Sequence, residues 1–192
     1  MSTRGRAVSF VRTAVLFVAA WTASPAGAAD IVVSIEHEGP VTMIRAYARI
    51  AANAATAWRV LTDYDRYDRF IPGVRASRTL VRDGAKVTVA QSDDVAVGVL
   101  PLRVDVTYDI VESPPDRLRS HAHAGALPEL DSLYALVPDG SGIRLDYVGR
   151  IEGGFPLIAP VARSALAANV TRRFRALAGE IERRTVVAHR GH

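Results

Sequence analysis

Residues 102–110 carry the clearest two-residue alternation in the chain: Leu102, Val104, Val106, Tyr108 and Ile110 against Arg103, Asp105, Thr107 and Asp109. Successive side chains of an extended segment point to opposite faces, so this pattern predicts a strand with one buried and one wet face. It recurs in Ile143, Leu145 and Tyr147 against Arg144 and Asp146. Two β-rich runs, 31–38 and 41–51, flank Gly39-Pro40 and predict a hairpin. Further strands are predicted at 74–82, 85–97, 101–111, 117–125, 130–138 and 143–151. They are punctuated by Asp83-Gly84, Pro101, Pro114-Pro115-Asp116, Gly125 with Pro128, and Asp139-Gly140-Ser141-Gly142.

The period changes to three or four in three places. Asn53 can cap a helix over 54–62, with Ala54, Ala57, Trp58 and Leu61 on its apolar face. A short helix over 65–70 stops at Pro72-Gly73. A long helix from Pro160 to Arg184 carries the stripe Ala162, Leu166, Val170, Phe174, Leu177 and Ile181. Residues 186–192 have no period and are expected to be a disordered tail. Strands in series with one long amphipathic helix predict an α+β domain over 29–185, a curved antiparallel sheet burying the stripe of its C-terminal helix. Between sheet and helix a cavity is expected.

The first residues change the charge argument. Arg4, Arg6 and Arg12 precede the apolar run Thr13–Ala23, then Ser24-Pro25 and the small-x-small triplet Ala26-Gly27-Ala28. This predicts a signal peptide over 1–28 and a periplasmic or secreted mature domain. The apolar run is well short of the roughly 20 residues a spanning helix needs. Losing the leader's three arginines lowers the formal net charge from +4 to +1, so the basic pI gives no case for nucleic acid. The chain has no Cys, which excludes disulfides, a thiol nucleophile and a lipidated cysteine.

Few residues carry overt chemistry. No GxSxG, P-loop or GxGxxG is present. His121 and His123 share a strand face, but so do Arg117 and Arg119, and a structural zinc takes four ligands. The pair is read as solvated, with no metal site and no cofactor assigned. Asp93-Asp94 point to opposite faces and are read as a bulge or the wet end of a strand. The six arginines 163, 172, 173, 175, 183 and 184 are read as a polar helix face, with transient contact to anionic lipid headgroups as the functional alternative. By alternation Tyr108, Tyr134 and Tyr147 face inward, as do Gln91, Ser120 and Ser132. With Phe155, Leu157 and Leu166 they are the candidate cavity residues, giving apolar walls with a few polar groups.

Four stretches carry a family resemblance. They are Ala57-Trp58-Arg59-Val60-Leu61-Thr62-Asp63-Tyr64-Asp65 with Phe70-Ile71-Pro72-Gly73-Val74; Glu112 to Leu118; Leu133-Tyr134-Ala135-Leu136 with Arg144-Leu145-Asp146-Tyr147; and Phe155-Pro156-Leu157. In this order they resemble the START-like polyketide cyclase/dehydrase and lipid-transport group, which includes coenzyme Q-binding proteins. The resemblance covers about 41–184 and implies a helix-grip fold with an apolar cavity for a lipid, sterol, quinone or polyketide-like ligand. The group has no universal catalytic motif, so no catalytic residue transfers. The leader and the strand at 31–38 depart from its cytoplasmic members. The expected function is that of an exported binding or transfer module for an apolar small molecule. The alternative is an aromatase/cyclase- or dehydratase-like enzyme using cavity Tyr or His residues, and a third reading is a partner-binding domain with a small empty cavity.

Overall fold

The computed structural model describes residues 30–97, 100–124, 127–152 and 160–190. The leader therefore lies outside the described residues. Eight strands run β1 (Ile31–Glu38), β2 (Val41–Ile50), β3 (Val74–Asp83), β4 (Lys86–Val97), β5 (Leu100–Ser113), β6 (Arg117–Ala124), β7 (Leu127–Asp139) and β8 (Gly142–Glu152). Three α-helices accompany them: α1 (Ala54–Leu61), α2 (Tyr67–Phe70), preceded by a 3₁₀ turn at Tyr64–Arg66, and α3 (Pro160–Arg190). All strands join one curved antiparallel sheet in the order β1-β2-β8-β7-β6-β5-β4-β3. The predicted hairpin is present as β1–β2, with Glu38 opposite Val41.

Alternation decides which face is buried. On β2, Ile44, Ala46, Ala48 and Ile50 are buried while Arg45 and Arg49 are exposed. Leu145 of β8 meets Phe174, Leu177 and Ile181 of α3 in the same core, and all four are essentially inaccessible. Each such large apolar side chain contributes about 1.5–3 kcal/mol by burial. Asn53 caps α1, its Oδ1 accepting from the Thr56 amide at 2.8 Å. The buried face of α1 is turned slightly from the expected one: Ala57 and Leu61 are buried with Thr56 and Val60, while Trp58 is half-buried and packs against both core clusters.

One expectation fails. Residues 186–190 are the last turns of α3, not a disordered tail. No Gly or Pro follows Arg184 until Gly191, so helical hydrogen bonding continues after the apolar stripe ends. Val186 and Val187 ride exposed on these turns, which is why hydrophobic period could not reveal them.

Two polar clamps hold the α1–α2 segment, one to α3 and one to the sheet. Arg184 of α3 donates to Asp63 at 2.7 Å and to the buried Glu180 at 2.6 Å, while Arg183 also holds Glu180. The hydrogen bonds from Arg183 hold the Glu180 carboxyl below its ordinary pKa, although burial works the other way. At the other side, the buried Glu112 of β5 accepts from the Tyr64 hydroxyl at 2.9 Å and from Arg82 at 3.1 Å. Asp63, Tyr64 and Glu112 all belong to the stretches that carry the family resemblance, and their role here is to dock the α1–α2 segment.

Candidate functional site

Between the inner sheet face and α3 lies a cavity of about 200 Å³. Tyr108 on β5, Ser120 on β6, Leu130, Ser132 and Tyr134 on β7, and Tyr147 on β8 point into it because each falls on the inward phase of its strand. Gln91 reaches it from β4, Leu166 from α3. Seven of the nine candidate residues thus meet in one space; Phe155 and Leu157 lie outside the described residues. The volume is below the 300 Å³ expected as a minimum for a ligand pocket. Aromatic rings take up the difference. Tyr134 and Tyr147 stand 4.7 Å apart, and Phe174 stacks on Tyr134 at 6.3 Å and meets Tyr147 edge-on at 5.9 Å. Gly149 makes this arrangement possible, since a Cβ there would come within 2.6 Å of the Tyr147 hydroxyl.

The walls are apolar, but the cavity has a polar end. Arg173 of α3 points inward, its guanidinium carbon 5.8 Å from the centre of the Tyr67 ring. Among the described residues no carboxylate lies within 4.0 Å of it in an ion pair. Burial opposes the guanidinium charge, but the groups around it, Asp93 among them, more than offset this and raise its pKa, so it remains a cation. Asp93 of β4 lines the same end, with Oδ1 buried and without a hydrogen-bond partner. Desolvation raises the Asp93 pKa, Arg173 partly counters it, and Asp94 adds to it. Gln91 presents a buried Nε2, also without a partner. The tyrosine hydroxyls stay protonated: burial pushes Tyr108 up to about 12 and raises Tyr134 and Tyr147 as well. Ser120 and Ser132, paired across β6–β7, share a hydrogen bond at 2.7 Å.

Arg173, Asp93 and Asn169 also line a small crevice beside Ile71–Val74, so the polar end faces that loop. Gly73 shapes the loop. Its φ is +93°, and its carbonyl accepts from the Asp94 amide at 2.7 Å, an approach that leaves a Cβ only 3.2 Å from the Asp94 oxygen.

Three sequence readings need correction. Arg173 is not part of the polar helix face. It occupies the inward position between Val170 and Leu177, and the signal was its place at the three-residue step of the apolar stripe. Asp93 is not at a wet strand end but inside; a bulge does occur opposite it, on β3 between Val74 and Ala76. No histidine reaches the cavity among the described residues. His37 bonds Thr42 at 2.7 Å, and His121 and His123 lie on the opposite face of the sheet, as their alternation predicted.

Residues 50–178, more than half of the chain, match the family described as polyketide cyclase / dehydrase and lipid transport. The chain belongs to that family. Among solved structures, this family member resembles a STAR-related lipid transfer protein from Xanthomonas axonopodis at 18% identity, with a TM-score of 0.61, over 83% of this chain and 96% of that one. It also resembles the Zhui aromatase/cyclase from Streptomyces sp. R1128, at 19% identity and a TM-score of 0.63 over 75% and 95% of the two chains. A START superfamily protein from Mycobacterium smegmatis matches at 15% identity and a TM-score of 0.60 over 74% and 99%. At these identities the likeness is one of fold. No curated protein matches the sequence. Among the described residues no helix is long and apolar enough to cross a membrane.

Proposed function

We propose that this family member binds a compact apolar molecule with an anionic or acceptor-rich head, held in the internal cavity with its head at Arg173, and that it does so after export. The observation that carries the reading is the polar end of the cavity. A half-buried guanidinium without a contacting carboxylate, an unpartnered Gln91 amide and protonated tyrosine hydroxyls are all donors. Of these, Gln91 Nε2 is buried without a partner, which costs about 1–3 kcal/mol, and a ligand carboxylate or carbonyl removes that cost. The family and its structural relatives include lipid-transfer proteins, which supports an apolar ligand.

Size restricts the ligand further. A water-sized group occupies about 30 Å³, so the cavity of about 200 Å³ accepts about seven such groups. That suits an aromatic ring or a short chain better than a full isoprenoid tail. At about 0.8 kcal/mol per methylene, the apolar part supplies about 5–6 kcal/mol. Micromolar affinity needs about 8, so the head must contribute.

The test is calorimetric titration with 2-naphthoate, a compact aromatic carboxylate, on wild type and on the cavity-filling variants Ser132→Trp and Ala122→Phe, with circular dichroism to check folding. Folded variants are expected to lose binding. Folded variants that bind as tightly as wild type would show that the ligand sits elsewhere. Export has its own test: N-terminal sequencing should give a chain starting at Ala29 or Asp30, and an intact leader on membrane-bound protein would refute it.

Asp93 supports a second reading, that of an aromatase/cyclase-like enzyme. Its carboxyl combines a raised pKa with an unpartnered oxygen inside the cavity, the properties of an acid–base group. Asp93→Asn separates the two. In a binding module it alters affinity alone; in an enzyme it leaves binding of a poly-β-ketone substrate intact and stops its conversion.

A further inference from the structure

The outer face of the sheet, away from the cavity, carries a second cluster. His121 and His123 are two residues apart on β6 and project to the same side, with ring centroids 4.3 Å apart. The ladder between β6 and β7 is interrupted beside them. Ala122 pairs with Leu130, but Ala124 pairs with Leu127, so β7 carries an extra residue in this interval, and Glu129 lies within it. Bulges of this kind re-aim a side chain. Here one ligand atom from each of His121, His123 and Glu129 lies within 4.8 Å of the other two, and His121 Nε2 is 3.7 Å from Glu129 Oε2.

Each imidazole is also held by a carboxylate outside this trio. His121 Nδ1 is 2.7 Å from Asp131 Oδ1, its cross-strand neighbour on β7. His123 Nε2 is 3.2 Å from Asp109 Oδ2 on β5. A carboxylate on one ring nitrogen fixes the ring's orientation and tautomer and makes the remaining nitrogen a better donor, which is the usual environment of a metal-bound histidine. Arg150, across the β7–β8 ladder from Asp131, is engaged by Glu152.

We propose that His121, His123 and Glu129 form a binding site for one zinc-class divalent cation, with Asp131 and Asp109 orienting the two imidazoles. The donor set selects the metal. Two nitrogens and one carboxylate suit zinc and its borderline neighbours, whereas magnesium and calcium require oxygen shells. Two donors about 2.0–2.2 Å from one ion stand at most about 4.4 Å apart, so the three groups close on an ion by small side-chain rotations. Those rotations are unhindered, since Glu129 is 68% and His123 46% exposed. Three protein ligands leave a fourth position for water or for a group from outside the chain. The site is independent of the cavity, and the reading of the cavity does not enter it.

The experiment is calorimetric titration of the purified, chelator-treated protein with zinc sulfate, and separately with magnesium chloride. Wild type is expected to bind one zinc ion and no magnesium. His121→Ala and His123→Ala should each weaken zinc binding at least about tenfold, and Asp131→Asn, which leaves all three ligands in place, by about 10- to 100-fold. Circular dichroism checks each variant. Should a variant fail to fold, the visible absorption of Co²⁺ added to wild type decides: intense bands of low-coordinate cobalt support the site, and the weak spectrum of the hydrated ion overturns it. Absence of stoichiometric zinc binding, equal binding of magnesium, or undiminished zinc binding in a folded His121→Ala/His123→Ala double variant also overturns the proposal.

Discussion

Replacing Arg173 by Met tests the polar end of the cavity in two opposite directions at once. Met keeps the length and much of the volume of the side chain and removes its charge. A hydrogen bond to a charged group contributes about 1.5–3 kcal/mol. At 1.4 kcal/mol per tenfold, Arg173→Met should weaken 2-naphthoate binding by about 10- to 150-fold. The neutral isostere 2-naphthamide cannot form the ion pair, and its affinity should change by less than about threefold. Stability should move the other way or stay level. The guanidinium is half-buried over the Tyr67 ring without a contacting carboxylate. Replacing buried charge by a well-packed apolar side chain is often neutral or stabilising by about 1–4 kcal/mol. Asp93 then loses the neighbouring cation that holds its pKa down, so its carboxyl is more readily protonated. The assays are calorimetry with the acid and the amide, and urea denaturation. Equal losses for both ligands, or a destabilisation above about 2 kcal/mol, would show that Arg173 supports the fold and does not read a ligand head.

Three further outcomes follow from the packing. Leu61, only 2% exposed, should cost about 2–5 kcal/mol as Leu61→Ala by chemical denaturation, and a cost below about 0.5 kcal/mol would contradict its core position. Tyr64→Phe removes the buried donor to Glu112 and should destabilise by about 1–3 kcal/mol, while Arg82→Lys should cost less because Arg82 is 46% exposed. Glu180 has a folded-state pKa held down by Arg183 and Arg184, so its contribution is present above its unfolded pKa and is lost as pH falls through the folded value; the loss of melting temperature on acidification below about pH 4.5 should therefore be smaller in Glu180→Gln than in wild type, and parallel curves would refute the clamp.

How much of this was legible in the sequence depends on the kind of signal. Strand and helix positions were readable because one buried face imposes a period on 102–110, on 143–147 and on the stripe from Leu166 to Ile181. The inward tyrosines and serines followed from the same alternation. Arg173 was misread, and Asp93 in the wet-end half of its reading, for a common reason: a charged residue in an apolar pattern was assigned to solvent, although the bulge expected at Asp93 is present on the facing strand. Glu129 was invisible because a bulge, not a register, brings it to His121 and His123. The end of α3 was missed because Val186 and Val187 bury nothing, leaving only the absence of breakers as a signal.

The central claim is that the interior of this domain receives a ligand at Arg173. Solution NMR of ¹⁵N-labelled protein titrated with 2-naphthoate tests it most directly, since the side-chain amide of Gln91 and the guanidinium of Arg173 report from inside the cavity. Saturable shifts are expected at Gln91, Asp93, Ser120, Ser132 and Arg173, with the outer-face residues Arg45, Arg119 and Val148 unmoved. Shifts confined to the outer face, or no shifts at millimolar 2-naphthoate, would contradict it.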